Sequence, residues 1–263
     1  MIGRSLSLLI LSLGLLSCAP GGDGETGTSF PYNTPARYFQ STANIAVDVY
    51  YETGAVPDFG TTAGGRQIWT ITRDNLVDIL KHRSSVANVS VPTQVADATE
   101  IPASGKANWL GTEILALDAR TRTRSSDLNT SRFMIYFLDG YYNDGNGSNT
   151  SVIGVSLSGT PIIAIFKPVV TASGGPVVRR FVEQSTIVHE LGHALGFVNN
   201  GIPMVTNHQD VAHGRHTTDN QCVMYYLNEG TSDLIQFFQR FLASSSVVMW
   251  GSSVQADAQA FSR

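Results

Sequence analysis

One stretch limits what this chain can fold into more than any other. From Pro176 to Leu195 the sequence runs through several helical turns, preceded by Gly174 and Gly175 and opened by a proline where a first helical turn accepts one. Phe181, Val188, Leu191 and Leu195 recur at spacings of seven, three and four, so one face of the helix must be buried against the rest of the fold. Beside that stripe stand His189 and His193, four residues apart and therefore on one face. Two imidazoles held this way aim at one point, as a tetrahedral Zn²⁺ site requires. In this H-E-x-x-H pattern Glu190 sits one step round the helix, near the ion but not on it, where it can take a proton from a metal-activated water. The plainer reading is a surface helix that happens to carry two histidines and a glutamate. The buried stripe and the clean helix start favour the metal.

The rest of the chain supplies strands and further helices. Ile45 to Tyr51 alternates as a first strand, and Arg73 to Leu80 reads as a helix with Leu76, Ile79 and Leu80 on its apolar face. Val86 to Val91 is a short β-branched run closed by Pro92, and Thr93 to Ala107 reads as loop. Gly111 to Arg122 is a second helix; Arg120, Arg122 and Arg124 form either a carboxylate-binding cluster or a solvated helix end. Phe133 to Leu138 is a buried strand, followed by a glycine- and asparagine-rich loop over Asp139 to Asn149. Asp139, Asp144 and Asn146 in that loop are candidate Ca²⁺ ligands, although ordinary turn chemistry accounts for them equally well. Val152 to Leu157 and Ile162 to Phe166 are two more strands. Beyond the histidine helix comes a long polar loop to Gln221, then a last helix over Asp233 to Leu242, and a weakly patterned tail from Ser244. No internal repeat appears, so a single domain over residues 41–243 is expected, with 244–263 as a tail.

The first residues have a different character. Arg4 precedes an apolar run from Leu6 to Leu16, too short to span a bilayer in a mature protein, and the run ends in Leu15, Leu16, Ser17 and Cys18. That ending looks like a bacterial lipobox, in which the cysteine is lipidated and becomes the mature N-terminus; the alternative is an ordinary signal peptide with a chance cysteine. The expected organisation is a lipoprotein signal over 1–18, a Gly-, Pro-, Ser- and Thr-rich tether over 19–40, and a domain anchored to the bacterial cell envelope, facing periplasm or exterior. The chain has two cysteines, so lipidation leaves Cys222 without an intramolecular partner. Charged residues make up 14% of the chain at a net charge of −4, with no basic patch that would suit nucleic acid. A monomer is expected.

The order of strands, H-E-x-x-H helix, and a methionine shortly before a final helix resembles the metzincin clan of zinc peptidases. There the pattern continues H-E-x-x-H-x-x-G-x-x-H, followed by a Met-turn beneath the metal. Gly196 matches the glycine, Met224 the Met-turn, and Tyr226 a tyrosine that some members use near the reacting carbonyl. The likeness spans about residues 40–243 as an architecture, with specific motifs only over 188–226. It departs at Asn199, where the third histidine should stand; Asn199, Asn200 and Gly201 form a turn sequence, and the same turn occurs in bacterial membrane-associated metalloproteases that this segment resembles. Downstream, His216 and Met224 keep the spacing of the archaemetzincin pattern H-C-x₄-C-x-M, whose first residue is the third zinc ligand, with Thr217 in place of the first cysteine. The resemblance therefore implies His216 as third ligand, with an insertion between Asn199 and His216. Within that insertion His208, Asp210 and His213 are either polar loop residues, a second ion site, or the source of the true third ligand, His213 foremost.

The resemblance implies an α+β, metzincin-like fold: a twisted mixed sheet, a backing helix, the histidine helix and a C-terminal helix. It implies zinc-dependent hydrolysis of peptide bonds, with Glu190 as general base, Tyr226 donating to the oxyanion and Met224 structural. A peptide or protein substrate is expected to add as a strand along an exposed edge, with Gly159 to Phe166 the candidate edge. Two other readings remain: a non-catalytic surface lipoprotein using the scaffold to bind peptide or metal, and a zinc hydrolase acting on a non-peptide amide.

Overall fold

The computed structural model describes residues 29–62, 65–226 and 247–263. The signal and lipidation segment through Cys18 and the helix expected over Asp233 to Leu242 lie outside these. Among the described residues no helix is long and apolar enough to cross a membrane.

The fold is α+β, built on a twisted mixed sheet. Its central strands β1 (Asn44–Glu52) and β5 (Thr130–Leu138) run parallel over almost their whole length. Both are buried along nearly every residue, as strands covered on both faces must be. On the far side of β5 lies β9 (Ile162–Phe166), parallel and fully buried, and beyond it β8 (Gly154–Ser156), antiparallel, at the sheet edge. The other edge of β1 is shared by two short parallel strands: β2 (Asn88–Ser90) pairs with its start and β3 (Thr99–Ile101) with its end. β3 lies in the stretch expected to be loop. The expectation of an exposed edge over Gly159 to Phe166 is also overturned: β9 is flanked on both sides, and among the described residues the free edge belongs to β8.

Alternation along β5 separates the two layers of helix. Phe137 meets Trp69 at the start of α1 (Thr70–Ile79), whereas its neighbour Tyr136 donates to Asp118 of α2 (Gly111–Thr121) at 3.0 Å on the opposite face. The arginines after α2 find carboxylates of the domain itself: Arg122 pairs with Asp118 and Arg124 with the buried Asp48. A short helix α3 (Lys167–Ala172) follows β9 directly and leads to α4 (Pro176–Leu195), which packs on β8 and β9 beside α1. Smaller elements complete the rim. They are a sheet of β4 (Asn108–Trp109), β6 (Tyr141–Asn143) and β7 (Ser148–Asn149), and a hairpin of β10 (Gln209–Asp210) and β11 (His216–Thr217).

Both ends of the described chain close against the domain. Residues 29–40, expected to belong to the tether, are held by Asn33 and by the buried Tyr38 and Phe39; Phe39 packs edge-on against Phe197. Residues 247–250 are strapped to Asn75 of α1, which accepts from Met249 N–H and from the Trp250 indole. The tail then forms a helix, α5 (Ser252–Phe261), with Val254, Asp257 and Ala258 buried.

Candidate metal centre

α4 begins as its sequence requires, with Gly175 extended at the N-cap and Pro176 in the first turn, where a missing N–H costs nothing. It ends at Gly196, whose φ of +103° puts it in the left-handed region that lets a chain leave a helix sharply. The exit continues through Val198 and Asn199 at φ of 53° and 58°, unusual for residues with side chains and for valine above all. Asn199 is exposed at the tip of this turn, and Asn200 donates to the His193 carbonyl at 3.0 Å.

From there the chain makes its excursion and returns in the β10–β11 hairpin, which carries His216 to α4. The three Nε2 atoms of His189, His193 and His216 converge: 3.1 Å separates His189 from His193, and 3.3 Å separates His216 from each. Two of the rings are oriented from behind. The Nδ1–H of His189 donates to the Val223 carbonyl at 2.6 Å, and that of His216 to the His213 carbonyl at 2.5 Å. A carbonyl can only accept, so in the neutral rings the proton sits on Nδ1 and both Nε2 atoms present lone pairs. Two lone pairs facing each other at 3.3 Å are placed to share one cation. The dimensions suit zinc: tetrahedral angles with Zn–N bonds of about 2.0–2.1 Å put ligand nitrogens about 3.3 Å apart. Among the described residues this is the one cluster of three or more histidine, cysteine or carboxylate side chains that could hold a metal ion.

The other candidates stay outside the cluster. His213 turns away, donating to Asp210 at 2.7 Å and stacking flat on the Tyr226 ring with centroids 3.6 Å apart. His208 is buried between Asp257 and Thr217. In the loop considered for calcium, Asp144 accepts the Asn146 N–H at 2.9 Å and the neighbouring Asn143 accepts from Gly145 and Gly147, ordinary turn bonds for these two side chains.

Glu190 is 3% exposed and follows the first histidine on α4. The backbone of the edge strand passes close to it: a Cβ placed on Gly154 would lie 3.2 Å from Glu190 Cγ and 2.7 Å from Thr186 Cγ2. Behind the cluster the fully buried Met224 fills the space left by Gly192, with its Sδ 2.2 Å from where a Cβ would stand. Next to it, burial pushes the Cys222 thiol up to about 12, partly opposed by hydrogen bonds from the Gly251 and Met224 N–H groups, so it remains an unreactive thiol. On the same helix Glu183 is buried too, and desolvation raises its carboxyl against the pull of Lys167, which pairs with it; its other oxygen accepts the Asp58 N–H at 2.7 Å. The Asp58 N–H bond to Glu183, together with the Arg180–Asp58 ion pair, ties the 55–62 loop to α4. Gly154, Gly192, Glu183 and Asp257 were not singled out by sequence reasoning. Of these only Gly192, a glycine within a helical pattern, carries a sequence signal for a close contact.

No protein-family model matches the chain, and no curated protein matches it in sequence. Among solved structures it is similar to the crystal structure of a zinc-dependent peptidase from Methanocorpusculum labreanum (strain Z). The identity is 10%, the match covers 81% of this chain and 99% of that one, and the TM-score is 0.42. The chemistry of the site itself therefore carries the functional reading.

Proposed function

We propose that this chain is a zinc-dependent endopeptidase of metzincin type, in which His189, His193 and His216 hold one Zn²⁺ and Glu190 is the general base. The observation that carries the reading is the convergence of three Nε2 atoms at 3.1–3.3 Å with a glutamate next to the first ligand on the same helix. Zinc bound there supplies a Lewis acid for the scissile carbonyl and a water that ionises near neutral pH.

The chain's own groups do the rest. The Val223 and His213 carbonyls fix two of the imidazoles, so the ligand geometry is set before substrate arrives. Glu190 takes the proton of the attacking water and delivers it to the leaving amine; its burial beside β8 limits competing solvent. A peptide adds as a strand along the free edge of β8, where Gly154 keeps the backbone within reach of Glu190. Tyr226, held flat against His213, donates to the oxyanion. Met224 supports the cluster from behind. The Leu-Leu-Ser-Cys sequence ending at Cys18 supports lipid anchoring to the bacterial envelope, so Cys18→Ser protein is expected to leave the membrane fraction.

The test is Glu190→Ala, assayed on a mixed peptide library after zinc loading. It should retain near-stoichiometric zinc and lose at least about 100-fold in kcat, the low end for loss of a general base. Full activity in that variant would refute the mechanism. Absence of any peptide cleavage by the zinc-loaded wild type would favour a binding scaffold.

A further inference from the structure

The third histidine arrives on a hairpin at the end of a long excursion, and such a loop needs something to set its register. The residue after His216 is Thr217, fully buried, and its hydroxyl meets His208 Nδ1 at 2.9 Å. The other nitrogen of His208, Nε2, meets Asp257 Oδ2 at 2.8 Å. Asp257 belongs to α5, is 1% exposed, and uses its second oxygen to accept the Val205 N–H at 2.6 Å.

The hydrogen bonds form one consistent chain. The carboxylate accepts from Nε2–H, which leaves Nδ1 as acceptor for the Thr217 hydroxyl proton, while the Thr217 oxygen accepts the Asp219 N–H at 3.2 Å. The order carboxylate, imidazole, hydroxyl is that of a nucleophile triad. Thr217 has no exposed surface, so no substrate reaches its oxygen, and the arrangement holds rather than reacts. What it holds is the hairpin: the backbone of His208 accepts the Thr218 N–H at 2.9 Å, and Asp210 pairs with His216 in the ladder.

We propose that Asp257 and His208 are positioning residues for the third metal ligand, so that the C-terminal helix is a working part of the metal centre. The inference rests on the zinc reading above. Asp257 grips both Val205 and His208, fixing where the returning strand starts, and His208 fixes Thr217 and with it the direction of the His216 ring.

The measurement is zinc affinity by chelator competition, with folding followed separately by urea denaturation. Asp257→Ala and His208→Ala should each weaken zinc about 10- to 100-fold, the range for lost outer partners of metal ligands. The double variant should be little worse than either single one, because the two residues act as one unit. Thr217→Val keeps the Asp257–His208 pair and the side-chain shape but removes the hydroxyl, and should weaken zinc with α5 still docked. Val254→Ala is the control: it loosens the same helix at a buried apolar position while leaving both partners of the Asp257–His208 bond in place. If Val254→Ala weakens zinc as much as Asp257→Ala at equal loss of stability, the pair is only structural and the proposal is overturned. Unchanged affinity in Asp257→Ala and Thr217→Val, with wild type binding through the three histidines, overturns it as well and leaves the zinc reading standing. Wild type that binds no zinc removes both.

Discussion

Replacing Gly192 by alanine sets two physical effects of opposite sign against each other. In a helix interior alanine is favoured over glycine by about 1 kcal/mol, so a helix with open space on that side would be stabilised. Here the new Cβ would stand 2.2 Å from Met224 Sδ, with Trp250 at 3.1 Å beside it. Non-bonded heavy atoms settle at about 3.5–4.0 Å, so the sulfur must retreat by more than an ångström. Met224 is fully buried and its carbonyl accepts the Thr217 N–H at 2.9 Å, which limits that retreat. Overpacking of this kind costs about 1–3 kcal/mol; set against the helix gain, a net loss of about 1 kcal/mol, reaching about 2, is expected. Because Thr217 follows His216, the shift should reach the metal site and weaken zinc about tenfold or more. Urea unfolding of the metal-free protein gives the stability change, read as a lower midpoint at constant slope. A variant stabilised by about 1 kcal/mol with unchanged zinc affinity would refute the close packing of Met224 on α4.

Other consequences are direct. Gly154→Ala would bring a methyl to 2.7 Å from Thr186 Cγ2 and 3.2 Å from Glu190 Cγ. It should cost about 1–3 kcal/mol and lower kcat while zinc content holds, and unchanged kcat would show that β8 does not constrain Glu190. The Cys222 thiol is raised from its usual 9.0 to about 12, so the unfolded chain ionises first. Its contribution to stability is present below pH 9.0 and lost as pH rises towards about 12, a loss that Cys222→Ala should reduce. Alkylation of Cys222, followed by mass spectrometry at neutral pH, should proceed only as fast as the domain opens; rapid labelling of the native protein would contradict its burial.

What could be read from the sequence follows the range of the forces involved. The histidine helix, its caps and the placing of His189, Glu190 and His193 depend on local spacing, and all were legible. His216 could be reached only by counting back from Met224, because the turn at Asn199 and Asn200 breaks the local pattern. β3 is not legible locally because its strand character comes from pairing with Tyr50 to Glu52 far back in the chain, not from its own residues. The sheet edge cannot be placed from the sequence, since β8 and β9 are both apolar runs and only their partners decide that β9 is internal. α5 is not legible in the sequence because its buried face is made of Val254, Asp257 and Ala258, too small and too polar to show as a hydrophobic stripe. Asp257 gives no local sign of its tie to His208, which joins two segments by tertiary contact alone.

The central claim is that three histidines, the third from the returning hairpin, hold one zinc. Its most direct test is the zinc content of purified His216→Ala, His213→Ala and Asn199→Ala measured beside wild type. The account predicts about one zinc per chain in wild type, His213→Ala and Asn199→Ala, and loss of the metal only in His216→Ala, since a catalytic zinc takes three protein ligands. Full zinc in His216→Ala, with loss in either of the other two, would contradict it.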